Sequence, residues 1–255
     1  MKLNLDVQLG KYYKSPTQKI RIQTENWVKN QIYCPACLSA LEKNKDNKPV
    51  ADFFCKKCQE EFELKSKKQK FGLKIVDGAY KTMLDRLKSS NNPSLFLLNY
   101  HSMSFRVINF IVIPKHYFIP ENIEKRSPLS SNAQRAGWIG CNILIKQIPP
   151  SGRIYFIKNG LVQPRQEVIN RWNRTLFLRK KEGEMKGWIL DVMNCIEKLG
   201  KKEFTLSEAY NFEGELSIKH PQNKHIKDKI RQQLQYLRDK GYLEFIGSGR
   251  YKLSK

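Results

Sequence analysis

The chain has 255 residues, 40 % of them apolar, and sets 47 lysines and arginines against 24 acids, for a net charge of +23 and a pI near 9.8. That length fills one or two packed cores, and so large a charge excess points to a polyanionic partner, nucleic acid first. No run approaches the roughly 18 apolar residues of a spanning helix, and the start, MKLNLDVQLGKYY, lacks the apolar core and cleavage site of a signal peptide; a soluble, cytoplasmic protein is expected.

Ser15-Pro16-Thr17 precedes a stretch in which Ile20, Trp27, Val28 and Ile32 recur at helical spacing, which predicts a helix packed beside the sheet that follows. Two Cys-x-x-Cys pairs come next, Cys34 with Cys37 and Cys55 with Cys58, seventeen residues apart. That spacing is the mark of a closed tetrahedral thiolate site, so Zn²⁺ is the expected structural metal. Cys141 and Cys195 stand alone in apolar surroundings and read as buried, reduced thiols.

Between the pairs, Ala51-Asp52-Phe53-Phe54 puts a lone acid inside an apolar, strand-like run. A carboxylate there is costly unless a positive group is bound to it. After ten intervening residues, 53 to 62, stands Glu63-Leu64-Lys65, where Phe62 and Leu64 alternate with charged neighbours. The period is that of a strand, with Glu63 and Lys65 on one face. Asp52 and Glu63 with the Leu64 carbonyl make an all-oxygen set suited to Mg²⁺. Lys65 is then placed to orient a water nucleophile or to balance charge developing on a phosphoryl group. The outline is that of a metal-dependent nuclease centre. Lys67 and Lys68, in the basic run that follows, either hold phosphates beside it or form a solvated loop. Read without context, Asp52, Glu63 and Lys65 also fit an ordinary solvated strand edge, which keeps open a non-catalytic, zinc-containing DNA-binding regulator.

Asp77-Gly78-Ala79-Tyr80 opens a predicted helix through Leu87 with Asp77 as its N-cap, and strands are predicted over Leu95 to Tyr100 and Phe105 to Ile113. Helix, strands, helix, strands is the pattern of a mixed α/β sheet. From Pro114 to about Lys181, frequent prolines predict strands and loops rather than long helices. Within that region Gly137 and Gly140 flank Trp138, which either stacks on a base or is a buried structural ring. Arg179 to Glu184 reads as a basic linker, dividing the chain into residues 1–182 and 183–255.

From Gly187 the pattern is three helices and a hairpin, the order of a winged helix. Asn223, Lys224, His225 and Lys227, early in the third helix, with Arg231 and Gln232 further along, are the candidate readers of bases and phosphates. His225 has no clustered partner that would make it a metal ligand. No His-Asn-His constellation or P-loop is present, so an HNH nuclease or an ATP-driven translocase is disfavoured.

Taken together, the two cysteine pairs and the stretches PVADFFC, EEFELKSKK, DGAY, RAGWIGCNI, LFLRK, FTL and HIKDKIRQQLQYLRDKG, in that order, resemble the DpnI family of methyl-directed type II restriction endonucleases. The resemblance covers essentially the whole chain. It implies a PD-(D/E)xK restriction-endonuclease-like mixed α/β sheet with an inserted zinc site, joined to a C-terminal winged helix. It also implies Mg²⁺-dependent cleavage of double-stranded DNA at GATC sites carrying N6-methyladenine. On that basis the family's catalytic acid, acid and lysine fall on Asp52, Glu63 and Lys65, and its zinc thiolates on Cys34, Cys37, Cys55 and Cys58. Alanine precedes Asp52, so the leading proline of the motif is displaced to Pro49. Trp138 becomes a candidate contact for the methylated base. No obligate protein partner is implied, and whether one molecule or two makes both cuts stays open.

Overall fold

The structure, a computed structural model, describes residues 1–44, 51–89, 92–181 and 183–254. Pro49, the displaced motif proline, and Glu182 of the expected linker lie outside the described residues. Two units separate by their internal contacts: Met1–Ile145 with Gly152–Asn173, and Lys146–Ser151 with Arg174–Lys255. Among the described residues no helix is long and apolar enough to cross a membrane.

In chain order the first unit carries α1 (Pro16–Gln31), β1 (Glu42–Lys43), β2 (Phe53–Phe54), β3 (Glu61–Lys67), β4 (Lys74–Ala79), α2 (Tyr80–Lys88), β5 (Ser94–Tyr100) and β6 (Val107–Ile113). There follow β7 (Ile123–Lys125), β8 (Gly140–Leu144), β9 (Ile154–Lys158), β10 (Leu161–Val162) and α3 (Arg165–Asn173). Proline at the first position of α1 suits a helix start, because its missing N–H has no intrahelical partner there.

Among the described residues seven strands form one sheet in the order β1-β2-β3-β5-β6-β9-β10. The sheet is mixed: β3 and β5 are parallel, and the other pairs are antiparallel. Every residue of β5 is buried, which a run as apolar as SLFLLNY requires of a strand covered on both faces. Aromatic side chains tie the strands together. Phe62 stacks on Phe96 at 4.4 Å, Phe96 meets Phe110 at 5.0 Å, and Phe110 meets Phe156 at 5.5 Å and Trp27 of α1 at 5.6 Å. Because Phe62 points into this core, the alternation of a strand turns Glu63 and Lys65 to the other face.

A second sheet of the same unit runs β4-β8-β7. Its pairing overturns one expectation. Asp77 is not a helix cap: it lies in β4 opposite Cys141 of β8, and α2 begins at Tyr80 with Ala79 in the N-cap position and no side-chain cap bond. The ladder with β8 runs on through Ala79 opposite Gly140, so Asp77 belongs to the strand and the helix starts later.

The second unit carries α4 (Gly183–Lys198), β11 (Glu203–Thr205), α5 (Leu206–Tyr210), α6 (Glu213–Lys219), α7 (Ile226–Asp239), β12 (Leu243–Phe245) and β13 (Arg250–Leu253). Its α-helices number four among the described residues rather than the expected three, because α5 and α6 are separate pieces. β11, β13 and β12 form a three-stranded sheet, with Gly247, Ser248 and Gly249 of the hairpin turn all at positive φ. The Glu197 carboxylate gathers this unit. It accepts from the Ser151 amide at 2.7 Å, the Ser151 hydroxyl at 2.8 Å and the Tyr242 hydroxyl at 2.5 Å. Those bonds account for the grouping of residues 146–151 with the C-terminal helices.

Candidate active site

The four cysteines of the two Cys-x-x-Cys pairs come together, with all four sulfurs within 4.8 Å of one another. Two loops of the same shape present them. In the first, the Cys34 amide donates to Ser39 O at 2.8 Å, the Leu38 amide donates to Cys34 O, and Leu38 has φ 62°. In the second, the Cys55 amide donates to Glu60 O at 2.9 Å, the Gln59 amide donates to Cys55 O, and Gln59 has φ 59°. Side chains other than glycine adopt that left-handed backbone at a cost, so its repetition four residues after each leading cysteine marks two purpose-built knuckles. Sulfurs at 3.4 Å, Cys34 to Cys58 and Cys37 to Cys55, sit close to the ~3.8 Å edge of a tetrahedron with ~2.3 Å metal–sulfur bonds. The cluster could hold a zinc ion, and the donor set fits it.

The second knuckle is also the turn between β2 and β3. It explains the ten-residue spacer between Asp52 and Glu63. β2 is two residues long and pairs Phe53 with Phe62 and Phe54 with Glu61. Asp52 sits at its entrance, where its amide donates to Phe62 O at 2.9 Å and its Oδ2 accepts from the Leu64 amide at 2.6 Å.

Asp52, Glu63, Leu64 and Lys65 line one cleft of about 500 Å³. Asp77 joins them from β4. The Lys65 Nζ lies 2.6 Å from Glu63 Oε1 and 2.7 Å from Asp77 Oδ1. Burial pushes the Asp52 carboxyl upward against the pull of the Leu64 amide, and burial does the same to Glu63 against the Lys65 charge. Burial works against the Lys65 ammonium too, but the Glu63 and Asp77 carboxylates outweigh it and raise its pKa. The Asp52, Glu63 and Asp77 carboxylates offer oxygen donors that suit a hard divalent cation.

Arg21 of α1 and Arg86 of α2 also line the cleft. No signal in the sequence points to these arginines. For Asp77 an acid just before a helix reads first as a cap and only second as a metal ligand. Lys67 extends the Glu63, Lys65 face of β3, but neither it nor Lys68 lines the cleft; both are exposed.

Trp138 also lies outside the cleft lining, in the loop joining β7 to β8. Gly137 turns the chain at φ 75°, the Arg135 guanidinium covers the ring at 4.9 Å, and the ring lies where a side chain on Gly140 would be, 2.8 Å from that Cβ position. Trp138 is half-buried, and its loop is tied to the start of α2 by the Tyr80 amide donating to Ile139 O.

The candidate readers of the second unit need one correction. Asn223 and Lys224 precede α7 and His225 is its N-cap, because Asn223 Oδ1 accepts from the His225 amide at 2.8 Å and closes a turn there. Lys227, Arg231 and Gln232 do lie on the helix and are exposed, outside the buried stripe of Ile226, Ile230, Leu234 and Leu237. Lys227 pairs with Glu213 at 3.3 Å.

Residues 1–181 match the model of the DpnI family, described as the Dam-replacing family, and residues 184–253 match that of the Dam-replacing HTH domain.

Proposed function

The chain belongs to the DpnI, or Dam-replacing, family, and from that premise we propose that it is a methyl-directed type II restriction endonuclease. In this reading residues 1–182 are a PD-(D/E)xK nuclease domain with a structural Zn²⁺ site, and residues 183–255 a winged helix that binds DNA. The substrate is double-stranded DNA containing GATC with N6-methyladenine. The observation that carries the reading is the meeting of Asp52, Glu63 and Lys65 in one cleft.

Asp52, Glu63 and the Leu64 carbonyl would hold Mg²⁺. Once bound, that ion polarises a phosphoryl oxygen and acidifies a water, the chemistry of phosphodiester hydrolysis by in-line displacement. The protein's own groups do the rest. The Leu64 amide fixes the Asp52 carboxylate by charge-assisted hydrogen bonding. Lys65 keeps its proton and presents a positive charge to a phosphoryl group as negative charge develops on it. Arg86 supplies a cation to a neighbouring phosphate, while Arg21 pairs with the buried Glu25 at 2.6 Å.

Methylation of adenine N6 projects a methyl into the major groove. Burying that methyl gains only on the order of 1 kcal/mol, so one pocket discriminates modestly and two readers multiply. We assign one reader to the Trp138 loop and the other to the exposed face of α7 with the turn before it.

The test is digestion of one plasmid, with and without adenine methylation at GATC, in Mg²⁺ and in EDTA, beside a Glu63→Ala protein. Discrete fragments from the methylated form alone, dependent on Mg²⁺ and absent with the variant, are expected. Binding without cleavage of either form would make the protein a DNA-binding regulator instead.

A further inference from the structure

We infer that Asp77 is a positioning residue for Lys65, holding the lysine ammonium at the cleft independently of Glu63; this rests on the endonuclease reading above.

Asp77 occupies the inner face of β4. Ile75, two residues before it, is 5 % exposed, the Asp77 side chain 7 %, and the intervening Val76 is 62 % exposed. An acid on that face is unfavourable unless a positive group answers it. It does not cap α2. Its ion-pair partner among the described residues is Lys65, at 2.7 Å. The β4–β8 ladder shifts register between Asp77 and Ala79, a bulge of the kind that re-aims a side chain beside functional sites.

Lys65 has a second carboxylate at hand in Glu63, two residues back on its own strand. In the proposed chemistry Glu63 is committed to a cation and its charge is shared. A lysine with four rotatable bonds would then be free to sample other rotamers. Asp77 prevents this because it comes from a different sheet, whose pairing with β8 is independent of β3. Glu63 thus serves the cation and Asp77 serves the lysine.

The experiment compares wild type, Asp77→Asn and Asp77→Ser in the full-length protein by steady-state cleavage of methylated duplex, Mn²⁺ titration calorimetry and thermal melting. A misaimed lysine costs turnover, so kcat is expected to fall about 10- to 100-fold, while KM, Mn²⁺ affinity and the melting temperature of the folded variants stay close to wild type. Unchanged kcat in either folded variant overturns the inference. A Mn²⁺ affinity weakened in step with kcat overturns it by making Asp77 a metal ligand, and failure of both variants to melt cooperatively makes it structural. Wild type that cuts neither methylated nor unmethylated DNA sinks the endonuclease reading itself; cutting by wild type with undiminished cutting by Asp77→Asn sinks the inference alone.

Discussion

The main-chain amide of Leu64 donates to Asp52 Oδ2 at 2.6 Å, so the strand that presents Glu63 and Lys65 also clamps the first acid of the centre. The two strands involved are joined by the Cys55–Cys58 knuckle, and the shorter has two residues. A two-residue strand contributes little order by itself. The cysteine knuckle closes the turn between these strands, so it adds to the Phe62 and Leu64 hydrogen bonds that hold Asp52 beside Glu63.

A zinc ion held by the cluster should accordingly be felt at the cleft. We expect wild type to carry about one zinc per chain, and Cys55→Ser to lose metal, melt at lower temperature and cleave on the order of 10²-fold more slowly even with Mg²⁺ in excess. Zinc content by mass spectrometry, read beside melting and cleavage, checks this. A zinc-free variant cutting at the wild-type rate would separate the cluster from the centre.

What could be read along the chain was local. The spacing within each Cys-x-x-Cys pair and the alternation around Glu63 and Lys65 are fixed by neighbours a few residues apart, and each has its counterpart in the structure. Asp77 was misread because its place is set by Cys141, sixty-four residues later in the chain. No local period signals such a pairing. The start of α7 was misplaced for the opposite reason: Asn223 uses its own side chain to close a turn, and helical periodicity in HIKDKIRQQLQYLRDKG does not register that competition.

On α7, Lys227 and Arg231 lie one turn apart, but Lys227 already faces Glu213. Arg231→Ala should therefore weaken DNA binding more than Lys227→Ala. If Arg231 meets phosphate, affinity should fall for all sequences and the salt slope should drop by about one; if it reads a base, the loss should be about 1–3 kcal/mol and confined to the specific site. Anisotropy titrations over a salt series on methylated GATC and scrambled duplexes decide between them. Wild-type affinity in Arg231→Ala would remove α7 as the DNA-facing helix.

Trp138 gives a prediction with an internal control. Trp138→Ala should narrow the ratio of methylated to unmethylated cleavage about fivefold, the equivalent of roughly 1 kcal/mol for one methyl. Gly140→Ala should move it the same way, because the added methyl would stand 2.8 Å from the Trp138 ring and displace it. Competition digests of the two DNA forms measure the ratio. If both variants melt like wild type and discriminate like wild type, the loop reads nothing.

The Thr205–Glu208 cap makes the stability of the second unit depend on pH in a defined direction. Glu208 Oε1 accepts from Lys201 Nζ at 2.6 Å, and its Oε2 accepts from the Thr205 amide at 2.8 Å. The Lys201 hydrogen bond first, and the Thr205 amide next, lower its pKa from 4.5 to about 2. A carboxyl depressed in the folded state binds its proton more readily when unfolded, so its contribution is complete above the unfolded value and lost as pH falls toward the folded one. Glu208→Gln removes the charge and keeps the side-chain shape. The melting-temperature gap between wild type and this variant should therefore be level from neutral pH down to about 5, shrink below the unfolded carboxyl value and close near pH 2. Since Glu208 lies at the surface, added salt should compress the whole gap by screening the Lys201 pair. No gap even at neutral pH would mean that the cap is held by the Thr205 hydroxyl, which accepts from the main-chain amide of residue 208 at 3.1 Å in both proteins and does not titrate.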